Sequence, residues 1–223
     1  SRCDRTESVR IYVGGLPQHP EGVLKYQVVY SLEGVLDYYT TLCWVVRGGK
    51  RVNIEALSEI EPVEFASPVG TLEAFHTAGG LSTMAYRYEG KIPTMEYKTL
   101  RYPGHCEKIH LLMKDLKLNE DRDTLKRVLE HAIPQTFQDV VLIYASVTGT
   151  TRGGFFEENY VKKIYPQCIK GKLWSAIQVT TASSACCVVD LVLTHPEQYH
   201  GFVTQESIHL KHFLQNELGA CFR

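Results

Sequence analysis

The stretch MEYKTLRYPGHCEKIHLLM, residues 95–113, decides the fold because it changes from strand to helix in the space of two residues. Its first part predicts a β-strand that ends at Arg101, and Pro103–Gly104 stops that strand. Apolar residues at helical spacing then predict an amphipathic helix over 105–117. A guanidinium at a strand end, facing the free N–H groups of a helix start, suits a carboxylate. We therefore expect an anion site formed jointly by Arg101 and the helix start at His105.

Two other interpretations of this stretch stay open. An ion pair between Arg101 and Glu96, Glu107 or another acid explains the arginine without any ligand. Cys106, next to His105 at the helix start, could have a lowered thiol pKa and act as the nucleophile of a cysteine hydrolase. A small cysteine that simply packs beneath the first turn of a helix is the commoner arrangement.

The composition excludes several classes of function. Lys+Arg of 24 against Asp+Glu of 25 leaves a formal charge of -1, so no general field attracts nucleic acid or an anionic membrane. Seven cysteines without a CxxC spacing indicate reduced thiols in a cytoplasmic protein. His209 and His212 with Glu206 supply only half of a metal motif, and we predict no metal. The glycine clusters lack the strand, turn and helix spacing of a dinucleotide or phosphate loop.

The order of elements predicts an α+β fold with a mostly antiparallel or mixed sheet and helices packed on one face. Strand signals occur at 8–13, in a hairpin across Gly48–Gly49 and in a long hairpin around Thr151–Gly153. The segment from residue 61 to residue 83 is expected to be one strand followed by a loop. The run 174–193 is long enough to span a membrane, but its polar residues favour a buried helix.

Four motifs carry a family resemblance: they are YVGGLP (12–17), VYSLEG (29–34), GTLEAFHTAGGLST (70–83) and YKTLRYPGHCEK (97–108). Their order and spacing resemble the C-terminal half of the saccharopine dehydrogenase family, nearest its lysine 6-dehydrogenase branch. The resemblance implies that residues 1–223 form the substrate-binding and dimerisation domain of an NAD(P)-dependent amino-acid dehydrogenase. Its C-terminal helices would then pack on a Rossmann domain. Because the chain starts at Ser1 without a methionine, we expect a fragment.

The resemblance also implies a set of site residues. Arg101 would clamp the carboxylate of an amino-acid substrate, Thr77 would hydrogen-bond to it, and the backbone at Gly79 would approach it. His76 and His105 are catalytic candidates that would move the proton of the amine, since imidazoles titrate near neutral pH. Hydride would pass to NAD or NADP, for which no binding residue in this chain is assigned. A homodimer is expected as well.

One position departs from the family pattern. Glu33, in YSLEG, stands where saccharopine-forming reductases have an arginine in a WSPRG-like stretch. A carboxylate there would repel the extra carboxylates of saccharopine and suit a lysine ammonium. This favours lysine as the substrate, although Glu33 could equally cap a helix or pair elsewhere. A binding or scaffold module with the same fold and no catalysis is the alternative to an enzyme.

Overall fold

The computed structural model describes residues 3–223. Its strands are β1 (Arg5–Pro17), β2 (Cys43–Arg47), β3 (Lys50–Ile54), β4 (Glu61–Phe65), β5 (Gly70–His76), β6 (Thr94–Arg101), β7 (Asp139–Thr151), β8 (Gly154–Ile164), β9 (Gln167–Ile169) and β10 (Lys172–Trp174). Its α-helices are α1 (Leu32–Thr40), α2 (Met84–Arg87), α3 (His105–His110), α4 (Arg122–Ala132), α5 (Ala176–Thr194) and α6 (Leu210–Gln215).

Eight of the strands form one sheet in which β6 is central. The main order is β3-β2-β6-β1-β7-β8, and β5 pairs with β6 on the side of β2 and carries β4. The β1·β6 pair is parallel, and the other strand pairs of this sheet in the described chain are antiparallel. The predicted mixed, mostly antiparallel sheet is confirmed. A strand held between parallel β1 and antiparallel β5 keeps its last residue, Arg101, in a fixed position.

Alternation along β6 separates the two faces of the sheet. Tyr97, Thr99 and Arg101 line a cavity on one face, whereas Leu100 packs in a core cluster on the other. Leu72 of the neighbouring strand β5 lies in the same cluster as Leu100, on the face opposite the cavity. Side chains of successive strand residues point to opposite faces, so the sequence of β6 dictates this division.

The helices cover the face of the sheet that carries the cavity. Phe75 of β5 packs against α1, α3 and α4 in the largest core cluster. Further along the same face, Ala176 and Ile177 of α5 pack against Val13 and Val141. The prediction of helices on one face is therefore confirmed, and the cavity lies between the helix layer and the sheet.

Several predicted elements differ in extent. The segment 61–83 contains two strands, β4 and β5, because the chain reverses between Phe65 and Gly70. The predicted helix 105–117 is α-helical only to His110 and continues as a π-helical turn, Leu111–Asp115. Local periodicity does not distinguish these two windings of the backbone.

Helix α5 is less buried than the sequence indicates. By length and composition alone it could cross a membrane, with a mean hydropathy of 1.6 in its most apolar window, of which 28% is buried. Its buried residues lie on one side and include Cys187 and Leu191, whereas Val189 and Leu193 are exposed. The expectation of a buried helix therefore holds for one side of α5 only, because that side packs on the face of the sheet and the other side is uncovered.

Replacing Gly149 with Ala should destabilise the fold. Gly149 of β7 lies opposite a register shift in β1, where an added Cβ would overlap the carbonyl oxygen of Arg5. Because that oxygen belongs to the backbone, relief requires a strand shift, and we expect a loss of about 1 to 3 kcal/mol in the free energy of unfolding in urea. Gly153→Ala, whose Cβ would meet its nearest neighbour at 3.6 Å, serves as the control. Equal stability of the two variants would contradict this account.

Candidate functional site

A cavity of about 400 Å³ lies between the helix layer and the helix-facing side of the sheet. Its lining residues are Val13, Gly15, Tyr30, Tyr38, Tyr39, Thr77, Ala78, Gly79, Gly80, Tyr97, Thr99, Arg101, Ile177 and Thr181. They come from β1, α1, the loop after β5, β6 and α5. The cavity brings together Arg101, Thr77 and Gly79, the three residues predicted above to contact a substrate.

Arg101 is the charged residue of this lining. Arg101 is 5% exposed, and its guanidinium carbon lies 5.0 Å from the ring centroid of Tyr26. Nε donates a hydrogen bond to the Tyr39 hydroxyl at 3.2 Å, and Nη1 donates to the carbonyl of Leu100 at 2.9 Å. Both of these acceptors are neutral oxygens, so the positive charge of the guanidinium is available to a ligand.

A chain of hydrogen bonds fixes the orientation of Arg101. The Tyr39 hydroxyl accepts from Arg101 and lies 3.0 Å from Nε2 of His105, whose Nδ1 lies 3.0 Å from the carbonyl oxygen of Leu24. A carbonyl can only accept, so Nδ1 carries the proton and Nε2 accepts from the tyrosine. Each donor and acceptor in this series of hydrogen bonds, from Arg101 to Leu24, is then used once. His105 acts through Tyr39 to position Arg101.

His105 does not reach the cavity. It is 1% exposed, and burial, with Arg101 nearby, lowers its pKa from 6.5 to about 3. A group with that pKa stays neutral at physiological pH and exchanges no proton with bulk water there. The predicted role of His105 in moving the amine proton finds no support in this geometry, because its two ring nitrogens are hydrogen-bonded to Tyr39 and to Leu24.

Arg101 has no carboxylate partner. Among residues 3–223, no acidic oxygen lies within the 4.0 Å limit of an ion pair to its guanidinium. Glu96, the candidate internal partner, lies on the opposite face of β6 and pairs with Arg47 at 2.8 Å and Arg10 at 3.4 Å. The interpretation of Arg101 as half of an internal ion pair is therefore wrong. A buried cation without a counter-charge is costly unless a ligand supplies one.

The expected contribution of the helix start to an anion site is wrong. Both carboxylate oxygens of Glu73 accept there, from the N–H of Gly104 at 2.7 Å and from that of Cys106 at 2.6 Å. Glu73 thus satisfies the free donors at the start of α3, and a ligand carboxylate cannot use them at the same time. The positive charge of the site is therefore supplied by Arg101, and the start of α3 does not contribute to it.

Thr77 and Gly79, both predicted to contact a substrate, line the cavity beside Arg101. The Thr77 hydroxyl is 2.6 Å from that of Thr99, and both line the cavity. Gly79 has a φ of +89°, which glycine adopts without strain, and it closes the turn that brings Gly80 against the ring of Tyr97. The hydroxyl pair and this turn form the side of the cavity next to Arg101.

His76 lies on the wrong face of the sheet for the predicted role. In the β5·β6 register His76 is opposite Lys98, whereas Phe75 is opposite Thr99 on the cavity face. His76 Nδ1 donates to the carbonyl of Tyr97 at 3.1 Å, and Nε2 lies 3.1 Å from Glu59. Burial lowers the pKa of His76 below its usual value. His76 and Thr77 are neighbours in sequence but point to opposite faces.

The residues around His76 form an ion-pair network. Glu59, His76 and Glu96 bring three ligand atoms within 4.8 Å of one another, a spacing that a metal ion could use. Arg47 Nη2 already lies 2.9 Å from Glu59 and 2.8 Å from Glu96. Its guanidinium supplies the positive charge that these carboxylates need, so the geometry favours an internal network over a metal site.

Glu33 is outside the cavity that contains Arg101. Its carboxylate lies 2.6 Å from Nε of Arg122 and 3.4 Å from Nζ of Lys126. These two ion pairs join α1 to α4. The geometry gives no support to the predicted contact of Glu33 with a substrate ammonium, since Arg122 and Lys126 already supply cations to its carboxylate. The reason for preferring lysine over saccharopine disappears with it.

Cys106 does not fit a nucleophile. Its residue is completely buried, and burial, with the Glu73 carboxylate, raises the pKa of the thiol to about 12. A protonated thiol beneath the first turn of α3 is unreactive, so the structure argues against a cysteine hydrolase.

Sequence reasoning missed the tyrosines of the cavity. Tyr30, Tyr38, Tyr39 and Tyr97 all line it, and Tyr39 is the direct partner of Arg101. Burial raises the pKa of Tyr30, Tyr39 and Tyr97, so these hydroxyls stay protonated. The pair of tyrosines at the end of α1 was visible in the sequence, but nothing local indicates that the helix end faces Arg101.

The described residues do not form a dinucleotide cradle. The glycine turn after β5 leads only to α2, a helix of four residues, and the start of α3 is occupied by Glu73. The site can hold the acidic group of a small molecule and surround it with hydroxyl donors. A nicotinamide that reacts in this cavity would have to be bound mainly by other residues.

The stability of the fold should depend on pH through His105. Its folded pKa of about 3 lies below the ordinary 6.5, so the unfolded chain binds a proton that the folded chain does not. The contribution of His105 to the free energy of unfolding is therefore fully present above pH 6.5. It decreases as the pH drops towards 3, by at most about 1.4 kcal/mol per pH unit.

The measurement is urea unfolding at a series of pH values for the wild type and for His105→Gln, which keeps one donor and one acceptor but does not titrate. The slope between pH 6.5 and 3 should be smaller in the variant. Identical slopes would mean that His105 already protonates in the folded state.

Glu73→Gln should destabilise the start of α3. An amide has one acceptor oxygen, so one of the two N–H groups now bound by Glu73 would face an NH₂ group. We expect a loss of about 1 to 3 kcal/mol in the free energy of unfolding, compared with almost none for Glu64→Gln, an exposed residue of β4. A Glu73→Gln variant as stable as the wild type would show that water replaces the lost acceptor.

Comparison with known proteins supports the resemblance seen in the four motifs. The family model of the saccharopine dehydrogenase C-terminal domain matches residues 1–218. Among solved structures, apo histidine-tagged saccharopine dehydrogenase (L-Glu forming) from Saccharomyces cerevisiae has a similar fold, with a TM-score of 0.63 and 16% identity over 88% of this chain. The chain spans 60% of the length of that protein. Neither comparison distinguishes the lysine 6-dehydrogenase branch. From the match over residues 1–218, this chain belongs to the saccharopine dehydrogenase C-terminal domain family.

Proposed function

We propose that this chain is the substrate-binding part of an NAD(P)-dependent amino-acid dehydrogenase that acts on the CH–NH group of lysine or of a lysine-derived amino acid. The observation that carries the proposal is Arg101, a buried guanidinium that lines a cavity and has no acidic partner among residues 3–223. Membership of an oxidoreductase-associated family supports the reaction class.

The guanidinium is suited to the carboxylate of an amino acid. Arginine keeps its charge even when it is buried, and the pKa of Arg101 stays above its ordinary value beside Tyr39, Tyr26 and Tyr30. A carboxylate in the cavity would gain a charge-assisted hydrogen bond in surroundings that exclude much of the water. The hydroxyls of Thr77 and Thr99 would then donate or accept at the side of the same ligand.

Holding the substrate is the step that these residues perform. Because Tyr39 and His105 fix the guanidinium before the ligand arrives, little conformational freedom is lost on binding. A substrate gripped at one carboxylate presents its C–H bond in one direction, which is what transfer to a nicotinamide bound elsewhere requires. The nicotinamide would supply the hydride acceptor or donor.

The proton of the amine needs a different route from the one the sequence suggests. The lining contains neither an imidazole nor a carboxylate among the described residues. The raised pKa of Tyr30, Tyr39 and Tyr97 makes their hydroxyls donors. Water or a residue outside this chain would therefore accept the proton when the amine is oxidised.

A binding module without catalysis is the second candidate. The specific observation in its favour is that no side chain of the lining titrates near neutral pH. A module of this kind would bind the amino acid with the same arginine and would give no change in NAD(P)H. The same experiment separates the two candidates.

The two remaining expectations concern location and assembly. The six cysteines from Cys43 to Cys221 are thiols, which supports our proposal of a cytoplasmic protein. We also propose a homodimer.

Arg101→Lys should weaken substrate use with little loss of stability. Lysine keeps the charge but cannot donate through Nε to Tyr39 and also present a second donor edge. We expect the Michaelis constant for the amino acid to rise about 10- to 100-fold, the equivalent of one charged hydrogen bond.

The measurement is NAD(P)-dependent turnover of lysine and saccharopine by the product of the complete gene, with calorimetric binding of the same ligands. Arg87→Lys, an exposed arginine of α2, is the matched control. Ligand binding without turnover would support the binding module. Unchanged binding in Arg101→Lys would remove the arginine from the site.

A further inference from the structure

The cavity that contains Arg101 carries a single charge. Within residues 3–223, its lining has one ionised side chain, Arg101, and the other polar side chains are hydroxyls of threonine and tyrosine. Burial raises the pKa of Tyr30, Tyr39 and Tyr97, so these hydroxyls stay protonated. The empty cavity is therefore positive, and one ligand carboxylate is enough to cancel its charge.

Acids on the elements around the cavity are bound to other groups. Glu73, opposite Arg101 in the β5·β6 register, accepts from two backbone N–H groups at the start of α3. Asp139, the first residue of β7, accepts at 2.6 and 2.9 Å from the first two N–H groups of α5. On α1, Glu33 and Asp37 both pair with the same arginine of α4. These carboxylates are already satisfied, so a ligand ammonium in the cavity would have to take one from its partners.

The part of the cavity next to Arg101 is shielded from water. Arg101 is 5% exposed, and Thr77 and Thr99 are 4% and 7% exposed. The nitrogen of an α-amino acid is attached to the carbon that bears the carboxylate, so a carboxylate held by Arg101 brings the nitrogen to the same depth. An ammonium there would lose its water, gain no carboxylate and face a guanidinium of like charge.

The hydroxyls beside Arg101 suit an uncharged group better than an ammonium. Those of Thr77 and Thr99 lie 2.6 Å apart, and a hydroxyl can donate as well as accept. An ammonium has hydrogens but no lone pair, so it leaves hydroxyl donors without an acceptor. A carbonyl oxygen or a neutral amine has a lone pair that such a hydroxyl can bond.

We propose that the cavity selects its ligand by charge: it binds a carboxylate whose neighbouring group is uncharged, with 2-oxo acids as the preferred class, and it binds an α-amino acid only as the neutral amine. The proton of the ammonium leaves to bulk water, and its bonding electron pair stays on the nitrogen. This inference rests on the proposed function, because it needs Arg101 to hold a carboxylate. An amine bound in this form is ready to lose hydride.

Calorimetric titration of the full chain with three ligands of equal length tests the inference. The ligands are hexanoate, 2-oxohexanoate and norleucine, which differ at the carbon next to the carboxylate. At pH 7 norleucine should bind at least about tenfold more weakly than 2-oxohexanoate. Its binding should also release about one proton per molecule, measured from the dependence of the heat on the buffer.

The pH dependence of binding should separate the two ligands as well. From pH 7 to pH 8 the affinity for norleucine should rise about tenfold, because the neutral fraction of its amine rises by that factor, and that for 2-oxohexanoate should stay constant. In the described chain no group that faces the cavity titrates in this range: Arg101 stays charged, the pKa of His105 is about 3 and the tyrosines stay protonated. His76, Glu96 and Lys98 belong to the network on the opposite face of the sheet.

A variant of α5 should reverse the preference. Thr181 is an exposed residue of the lining, so Thr181→Glu adds a carboxylate to the cavity without disturbing the core. It should strengthen norleucine binding and weaken 2-oxohexanoate binding, so that the ratio of their affinities falls at least about tenfold. Thr181→Gln has the same size without the charge and should affect both ligands alike. Circular dichroism verifies that both variants are folded.

The outcomes distinguish this inference from the proposed function. If hexanoate binds but norleucine binds as tightly as 2-oxohexanoate at pH 7, or releases no proton, the inference is overturned and the role of Arg101 in holding carboxylates remains. A folded Thr181→Glu variant with an unchanged ratio would also overturn it. If hexanoate itself does not bind, Arg101 does not hold carboxylates, and the proposed function is refuted together with the inference.

Discussion

The structure depends on one buried guanidinium that the protein orients but does not neutralise. Arg101 sits at the end of β6, and Tyr39 from α1 receives one of its donors. Tyr39 is in turn held by His105, the first residue of α3. The elements β6, α1 and α3, which are held together by apolar contacts, thus meet at one side chain. A charge arranged in this way remains ready for an external anion, which is why the cavity and not the rest of the surface suggests a function.

Alternation in β6 keeps two electrostatic systems apart. On the helix-facing side Arg101 is the charged residue of the cavity, and its neighbours are tyrosines and threonines. On the other side Glu96 joins Arg47, Glu59 and His76 in a network of opposite charges. If the strand shifted by one residue, these systems would exchange faces. The pairing of β6 with β1 and β5 therefore protects both the core and the site.

The fold was largely predictable because its signals are local. The change from strand to helix at Pro103–Gly104 and the two-residue hairpin turns can be recognised from a few neighbouring residues. Thr77 and Gly79 in the cavity follow from family motifs. Strict alternation of side chains along β5 would also have excluded His76 from the cavity, since His76 and its neighbour Thr77 point to opposite faces of the sheet.

The rest depended on contacts distant in sequence. Glu73 caps α3 from 31 and 33 residues away, through the β5·β6 register, and no short motif indicates it. Glu33 pairs with Arg122, 89 residues further along the chain, only because α1 and α4 lie side by side. Tyr39 meets Arg101 for a similar reason. Long-range pairing of this type is where a single sequence stops being informative.

The division of the cavity between strand and helix has an evolutionary consequence. Its cationic anchor belongs to a central strand hydrogen-bonded on both sides, whereas Ile177 and Thr181 come from α5, a helix with one uncovered side. Substitutions on α5 can alter the size and polarity of that wall without disturbing the sheet. Divergent relatives could thus acquire new side-chain preferences while keeping the same grip on the acidic end of their ligands.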